Sequence, residues 1–372
     1  MDRVKVMTVL GTRPEIIRLS STIKLLDRYT DHILVHTGQN YDYNLNEVFF
    51  KDFGLRSPDY FLDADAGTLG STLGSIISKV EQVIVRERPD AFLVLGDTNS
   101  CISALIAKRL QIPVFHMEAG NRCFDENVPE ETNRRLVDHV SDYNLVYTEH
   151  ARRNLLSEGV DCSKVLLVGS PMREVLNDNY DKILASNVMT ELGLNEGGFF
   201  LVSLHRQENV DCSSRLSSAL EAMVTLRQRF GVPVVISTHP RMEDRLKSQP
   251  VGVKEGLTFC RPFGFHDYVR LELAAKVVLS DSGTVSEESS ILGFPAVTLR
   301  DAIERPEAVE AGSIVTCGVD VSSVVQSVEM VVSQRWAPSC PAEYEIGDTS
   351  SRVLKAIFSF AHSHIWRARL RL

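Results

Sequence analysis

The chain has 372 residues, more than one doubly wound domain needs and comfortable for two. Its 44% hydrophobic and 24% charged residues are ordinary for a globular protein, while a formal net charge of −9 argues against nucleic acid as a partner, which needs a basic face. No apolar run reaches the roughly 20 residues that span a bilayer, and the short apolar core of MDRVKVMTVLGTRPE does not read as a signal peptide, so no membrane partner is expected. Seven cysteines (101, 123, 162, 212, 260, 317 and 340) form no CxxC pair, which suits a reducing cytoplasm. No His/Cys cluster has ligand spacing, so no metal is expected.

In chain order, Val4–Leu10 reads as a strand, and GTRPE turns directly into a helix running to about Tyr29. Pro14 suits the first helical turn, where a missing N–H costs nothing. A glycine before a helix start leaves free amides where an anion can sit, and Arg13 and Arg18 add charge there. No GxGxxG occurs anywhere, so the dinucleotide fingerprint is absent and no cofactor is expected. His32–His36 is a second strand, followed by TGQNYDY; a helical pattern over about Leu69–Arg88 is broken by Arg88-Pro89-Asp90.

The stretch Ala91–Arg135 organises the first half. Ala91–Leu95 and Pro113–Met117 read as buried strands bridged by one helix, Asn99–Leu110. Such a parallel βαβ unit delivers both strand C-termini to one sheet edge, with Asp97 just past the first strand and Glu118 just past the second. Glu130 and Glu131 follow Pro129 at the next helix start. Acids gathered at the ligand edge of an α/β sheet point to proton transfer. The bland alternatives stay open: Asp97 can cap a helix and Glu130 can support a first turn.

Further on come Tyr143–Val146 (strand), Glu149–Glu158 (helix) and Val165–Val168 (strand), and Gly169-Ser170-Pro171 reads as a hinge. A second βα series runs through Phe199–Leu204, Val232–Ser237, Val277–Leu279, Ala296–Leu299 and Ile314–Thr316, each strand ending in polar or ionisable residues. A final helix spans about Ser351–Trp366. The layout predicts an α/β protein of two Rossmann-like domains facing across a cleft. Residues 1–169, joined by a C-terminal helix of about 351–372, form the first domain, and 170–350 the second.

Ser282-Gly283-Thr284 sits between a strand and a helix carrying Glu287 and Glu288 in its first turns. Small residues let amides approach a phosphate, and Glu288 can accept from ribose hydroxyls, although an ordinary capped helix explains SGT equally well. With Arg13 and Arg305 of ERPE added, a diphosphate is the better account. His205 and Arg206 end a strand, His239 and Arg241 repeat that pattern, and PFGFHDY, with His266 and Tyr268, can line a base pocket, core packing being an equal account of Phe263 and Phe265.

GTRPE, GDTNS, HMEAGNR, PEETNR, SDSGTVSEE and ERPEAV, in this order over nearly the whole chain, resemble the non-hydrolysing UDP-N-acetylglucosamine 2-epimerase family. The resemblance implies a glycosyltransferase-B type fold, a UDP-sugar partner and a cytoplasmic homodimer. It places catalytic carboxylates on Asp97, Glu118 and Glu130 and a catalytic histidine on His205. Uridine-diphosphate contacts fall on Arg13, Ser282, Gly283, Thr284, Glu288 and Arg305. The family usually has lysine at the position of Arg18, and arginine is not a neutral exchange. GTRPEIIRLSS, HTGQNYDY and NRCFDENVPEE together look like the branch forming UDP-N-acetyl-L-fucosamine for capsule or O-antigen synthesis. HTGQNYDY also departs from the residues with which some relatives bind an activating second UDP-sugar.

Because C2 of such a sugar has no carbonyl neighbour, its proton is barely acidic. Elimination of UDP to a glycal, then re-addition after protonation from the other face, removes the difficulty. Asp97, Glu118 and Glu130 are expected to move the C2 proton, and Arg13, Arg18 and His205 to stabilise the departing diphosphate. The alternatives are the epimerisation of UDP-N-acetylglucosamine to UDP-N-acetylmannosamine, and a UDP-sugar glycosyltransferase.

Overall fold

The structure is a computed structural model that describes residues 3–38, 49–65, 67–238, 240–247, 249, 251–334 and 339–369, the side chains of 240, 241, 251, 253 and 362–369 excepted. His239 and the stretch 39–43 of HTGQNYDY lie outside the described residues. The chain forms two compact units, Met1–Asn177 with Glu343–Leu372, and Asp178–Ala342. Each unit is a parallel sheet with helices, a Rossmann-like domain. No helix among the described residues is long and apolar enough to cross a membrane.

The first sheet contains β1 (Lys5–Leu10), β2 (Asp31–His36), β3 (Tyr60–Phe61), β4 (Ala91–Leu95), β5 (Val114–Met117), β6 (Tyr143–Val146) and β7 (Val165–Leu167). Their order is β3-β2-β1-β4-β5-β6-β7, with every pairing parallel. All five residues of β4 and all four of β5 are buried, as strands covered on both faces must be. The order reverses between β1 and β4, so ligand chemistry is expected beyond the C-terminal ends of those two strands.

The helix Arg13–Tyr29 starts with proline in its first turn and buries Ile16, Leu19, Ile23 and Leu26, a 3-4-3 spacing that makes one apolar stripe. Each such side chain is worth roughly 2 kcal/mol when buried, enough to fix the helix on the sheet. The segment read as one helix over Asn99–Leu110 is instead a 3-10 helix, Asn99–Ser103, followed by an α-helix, Ala104–Arg109. Local hydrogen bonds favour the tighter winding: Ser103 Oγ donates to the Ser100 carbonyl at 2.6 Å and Cys101 Sγ to the Leu95 carbonyl at 2.8 Å.

The chain leaves the first unit after Asn177, inside the helix Met172–Leu184, and returns at Glu343, several residues away from the 169/170 and 350/351 expected. The physical reason is a knot of bonds around Gly169-Ser170-Pro171. Thr349 Oγ1 donates to the Val168 and Ser170 carbonyls, and Ser350 N donates to Glu174 Oε2 at 2.9 Å. A Cβ on Gly169 would stand 2.7 Å from that of Ile346, so the glycine is a close-approach site rather than a loose hinge. The C-terminal helix Thr349–Arg369 packs on the helix Arg13–Tyr29, and Phe360 stacks on Tyr143 with ring centroids 4.5 Å apart.

The second sheet contains β8 (Phe200–Leu204), β9 (Val234–Thr238), β10 (Leu257–Cys260), β11 (Val277–Ser280), β12 (Ala296–Thr298) and β13 (Val315–Thr316), in the order β10-β9-β8-β11-β12-β13. Its reversal lies between β8 and β11, which places His205 and the SDSGT turn beyond adjacent strand ends.

Candidate functional site

In the first unit the turn after β1 is closed by Glu15. Its Oε2 accepts from Gly11 N–H (3.0 Å) and the Thr12 hydroxyl (2.8 Å), and its Oε1 from the Thr98 hydroxyl (3.1 Å). Burial pushes the Glu15 carboxyl up to about 7, against the pull of those hydrogen bonds. One helical turn later Arg18, also buried, places Nη1 2.5 Å from Glu118 Oε2, with its guanidinium 5.9 Å from the Tyr147 ring centroid. Arg13 is exposed and lies 5.3 Å from the Phe49 centroid.

Asp97 does not cap a helix. The Thr98 hydroxyl accepts from Ser100 N–H, while the Asp97 carboxylate is forked by Arg134 Nε (2.8 Å) and Nη2 (2.7 Å). Arg134 Nη1 also reaches Glu131 Oε2 at 3.0 Å, so one guanidinium joins two carboxylates. Burial works to raise the Glu131 carboxyl, but Cys123 N–H and Arg134 outweigh it and hold it below the ordinary value. Glu130, in the same first turn of the helix Pro129–Val140, is half-buried and makes no hydrogen bond or ion pair among the described residues.

The turn after β5 takes left-handed backbone at Glu118 (φ 64°) and Gly120 (φ 80°). A Cβ on Gly120 would stand 2.3 Å from the Ala151 carbonyl oxygen, which no side chain can tolerate. Beneath this turn Arg122 is fully enclosed and donates to Glu158, to Asp138 and to the Asn121 carbonyl, while Asp138 also accepts Gly120 N–H. His116 Nε2 lies 2.7 Å from the Gly96 carbonyl and ties β5 to the turn that carries Asp97.

In the second unit the buried Asp281 carboxylate accepts from the backbone N–H groups of His205 (3.0 Å) and Arg206 (3.1 Å) and from Asn209 Nδ2 (3.1 Å), and His205 Nδ1 lies 3.0 Å from it. Burial opposes ionisation of Asp281, but His205 and these donors hold it below the ordinary carboxylate value. The His205 ring is thereby oriented while 41% of its side chain stays exposed.

The Ser282 and Thr284 hydroxyls are 2.9 Å apart, and Thr284 Oγ1 donates to Glu288 Oε2 at 3.0 Å. A Cβ on Gly283 would come within 2.7 Å of Arg305 Nη1 and 2.8 Å of Glu304 Oε1. Arg305 is buried between Glu304 and Glu287, and Arg206 Nη2 donates to Glu304 at 3.2 Å. The Tyr268 hydroxyl is enclosed near Ser203, Ser280 and the carboxyls of Glu272 and Glu288; burial pushes the phenol well above its ordinary value. Burial, and then the neighbouring Glu288, push the Glu272 carboxyl the same way. His266 Nε2 is hydrogen-bonded to Asn179 Oδ1 at 3.1 Å.

In the first unit Arg13 and Arg18 lie in the helix after β1, Asp97 and Glu118 just past β4 and β5, and Glu130 in the helix that follows. In the second, His205 and Arg206 follow β8 and Ser282, Gly283, Thr284 and Glu288 follow β11, while Tyr268 sits in the helix Phe265–Ala274 and Arg305 beyond β12. The sequence reading passed over Glu15, Arg134 and Asp281. Glu15 had a signal, the capping-box spacing Thr12-x-x-Glu15. Arg134 and Asp281 had none, because each is defined by a partner distant in the chain.

A model of the family described as UDP-N-acetylglucosamine 2-epimerase matches residues 24–358. The chain belongs to the UDP-N-acetylglucosamine 2-epimerase family. It is accordingly an isomerase, a 2-epimerase of UDP-sugars. Within this family it is 37% identical over 342 residues to the UDP-N-acetylglucosamine 2-epimerase of Methanocaldococcus jannaschii, covering 89% of this chain and 93% of the relative. A crystal structure of that enzyme in complex with UDP-GlcNAc and UDP aligns with a TM-score of 0.89 over 96% of this chain and all of that chain. A UDP-2,3-diacetamido-2,3-dideoxy-D-glucuronate 2-epimerase of Pseudomonas aeruginosa is also 37% identical, over 87% of this chain and 91% of the relative. The structure of a UDP-N-acetylglucosamine 2-epimerase from Rickettsia bellii shares 44% identity and a TM-score of 0.91, covering 97% of this chain and 98% of that chain. At 12% identity and a TM-score of 0.60, Phytolacca americana UGT2 shares the fold alone.

Proposed function

We propose that this epimerase inverts C2 of a UDP-2-acetamido sugar without hydrolysis, by eliminating UDP to a glycal and adding it back. We infer that its substrate is UDP-2-acetamido-2,6-dideoxy-L-talose, converted to UDP-N-acetyl-L-fucosamine for capsule or O-antigen synthesis. The observation that carries the reaction is the placement of Asp97 and Glu118 just past neighbouring parallel strands, each gripped by an arginine. A carboxylate takes the C2 proton, the C2–H electrons form the C1=C2 bond, and the C1–O pair leaves with the diphosphate. On the return a carboxyl protonates C2 from the opposite face and a diphosphate oxygen re-attacks C1. Asp97, Glu118 and Glu130 serve these transfers.

Arg13, Arg18 and His205 stabilise the diphosphate, and Arg206, His239, Tyr268, Ser282, Gly283, Thr284, Glu288 and Arg305 hold the nucleotide. The small residues before the helix Val285–Leu292 support this assignment, as does the glutamate at its first turn, since anions favour helix N-termini and ribose hydroxyls favour acceptors.

The 6-deoxy sugar rests on the branch-like motifs and on arginine at position 18. A second reading, UDP-N-acetylglucosamine to UDP-N-acetylmannosamine, is favoured by the name of the Methanocaldococcus relative. Two relatives at equal identity are named for different sugars, so identity does not choose between the readings. Incubation with each UDP-sugar in deuterated water, followed by NMR, tests both. Deuterium at C2 of the epimerised product supports the scheme, and the sugar that turns over names the substrate. Product without deuterium refutes elimination, free sugar with UDP indicates hydrolysis, and turnover only with an acceptor indicates a transferase. A cytoplasmic homodimer completes the proposal, with sedimentation as the check on the dimer.

A further inference from the structure

The helix Arg13–Tyr29 sends two buried charged side chains toward the strand ends, one turn apart. Arg18 grips Glu118; Glu15 carries no role in the reaction proposed above. Yet Glu15 bonds both the turn after β1, through Gly11 and Thr12, and the turn after β4, through Thr98. Thr98 is the immediate neighbour of Asp97. The same turn is also held by Asn133 Nδ2, which donates to the Asp97 carbonyl at 2.9 Å, by Arg134 on the Asp97 carboxylate and by His116 on the Gly96 carbonyl, none of which, by these bonds, reaches the turn after β1. Resting on the epimerase reading, we propose that Glu15 is a positioning residue, a strut whose three accepted hydrogen bonds lock the turns after β1 and β4 together and thereby fix the carboxylate of Asp97.

The strut works fully only as a carboxylate. Three donors face its two oxygens, so a proton on either oxygen turns an acceptor into a donor and displaces one bond. Burial brings that protonation to about pH 7. The ionisable group that interacts with it is the Cys101 thiol of the segment after β4; on its own helix the charged neighbours in sequence are Arg13 and, one turn on, Arg18, which pairs with Glu118.

The test compares Glu15→Gln, Thr98→Val and Thr98→Ser with the wild type, reading kcat and KM against pH and amide hydrogen exchange at Gly11 and over 98–100. In Glu15→Gln kcat falls on the order of 100-fold, as a displacement of about 1 Å at a reacting group does, with KM changed by less than about threefold. Its acid limb near pH 7 disappears, because an amide does not titrate. Thr98→Val lowers kcat about tenfold and moves that limb upward, since one donor to the carboxylate is gone, while Thr98→Ser restores both. Exchange quickens at Gly11 in Glu15→Gln and over 98–100 in both Glu15→Gln and Thr98→Val.

Glu15→Gln with wild-type kcat and the same acid limb overturns the proposal. So does unchanged exchange protection, a readout that needs no substrate and therefore stands even where no UDP-sugar is epimerised. Should Glu15→Gln fail to fold, Thr98→Val against Thr98→Ser decides, and equal kcat in those two overturns it.

Discussion

The strand-end turns of the two units are built on opposite plans. In the first, acids project from the turns and are held in place by arginines from elsewhere: Asp97 by Arg134, Glu118 by Arg18. In the second, the turn itself is made of small residues, Ser282-Gly283-Thr284, and the charged groups lie packed behind it as Arg206, Glu304, Arg305 and Glu287. The first plan presents carboxylates, the proton carriers of the proposed reaction, whose geometry depends on a few ion pairs. The second is a self-bonded turn, with the Ser282 and Thr284 amides donating to the Ser280 and Ser282 hydroxyls, whose packing against Arg305 and Glu304 depends on the absence of a Cβ. On the proposed reaction, which moves a proton and holds a diphosphate, the acids of the first unit and the small-residue turn of the second can be damaged separately, and the difference says which change costs which property.

The largest effect should come from the acids. Asp97→Asn and Glu118→Gln keep the shape but remove the proposed acceptors of the C2 proton, and each should lower kcat by about 10³-fold, with UDP binding retained. Deuterium wash-in at C2 and UDP titration measure the two quantities; loss of UDP binding with retained exchange would reverse the division of labour between the units. Next is the scaffold under Glu118. Gly120→Ala drives a Cβ to 2.3 Å from the Ala151 carbonyl at φ 80°, and should cost about 3 kcal/mol of stability, read by denaturant unfolding.

How much of this was legible beforehand follows the same division. Buried parallel strands announce themselves as apolar runs, so β4, β5, β8 and β11 and the residues just past them could be placed from the sequence. The strands at one edge of each sheet could not: Tyr60–Phe61 is two residues long and Leu257–Cys260 is only partly buried, so neither carries an apolar signature, whereas β7 and β13 at the opposite edges could be placed. The carboxylates were visible but their partners were not. Arg134 lies 37 residues from Asp97 and Arg18 lies 100 from Glu118, and no local pattern encodes pairing over such distances. The return of the chain at Glu343 was hidden for the same reason, being fixed by Thr349 and Ser350 bonding back to Val168, Ser170 and Glu174.

The first unit also stores two opposed titrations. His36, buried and stacked on Phe61, accepts Gly38 N–H at Nδ1, and burial pushes its ring down to about 4. The unfolded chain binds that proton between about pH 4 and 6.5 and the folded one does not, so stability rises with pH across that window. Glu15 is displaced upward to about 7, so the folded state holds its proton between about pH 4.5 and 7 and stability falls as pH rises there. Each effect has an upper bound of about 3 kcal/mol, and in the wild type they largely cancel between pH 4.5 and 6.5. Urea unfolding at pH 5 and 6.5 should therefore give a flat wild type, a rising Glu15→Gln and a falling His36→Gln. Parallel slopes in all three would remove both groups from the account.

The smallest effect tests the second plan directly. Gly283 has an ordinary negative φ, so alanine there carries no backbone strain; its whole cost is the approach of a Cβ to Arg305 Nη1 and Glu304 Oε1. Those groups are held by Glu287 and Arg206, so the guanidinium must shift within its buried cluster or the turn must lift away from it. Either response moves the Ser282 and Thr284 hydroxyls relative to the helix N-terminus without touching an acid of the first unit. Gly283→Ala should weaken UDP about tenfold, which is about 1.4 kcal/mol, and leave kcat at saturating UDP-sugar within about twofold. Calorimetric titration with UDP and steady-state kinetics read the two numbers. A fall in kcat with UDP affinity intact would mean that this turn takes part in the reacting geometry, and the two units would no longer separate grip from proton transfer.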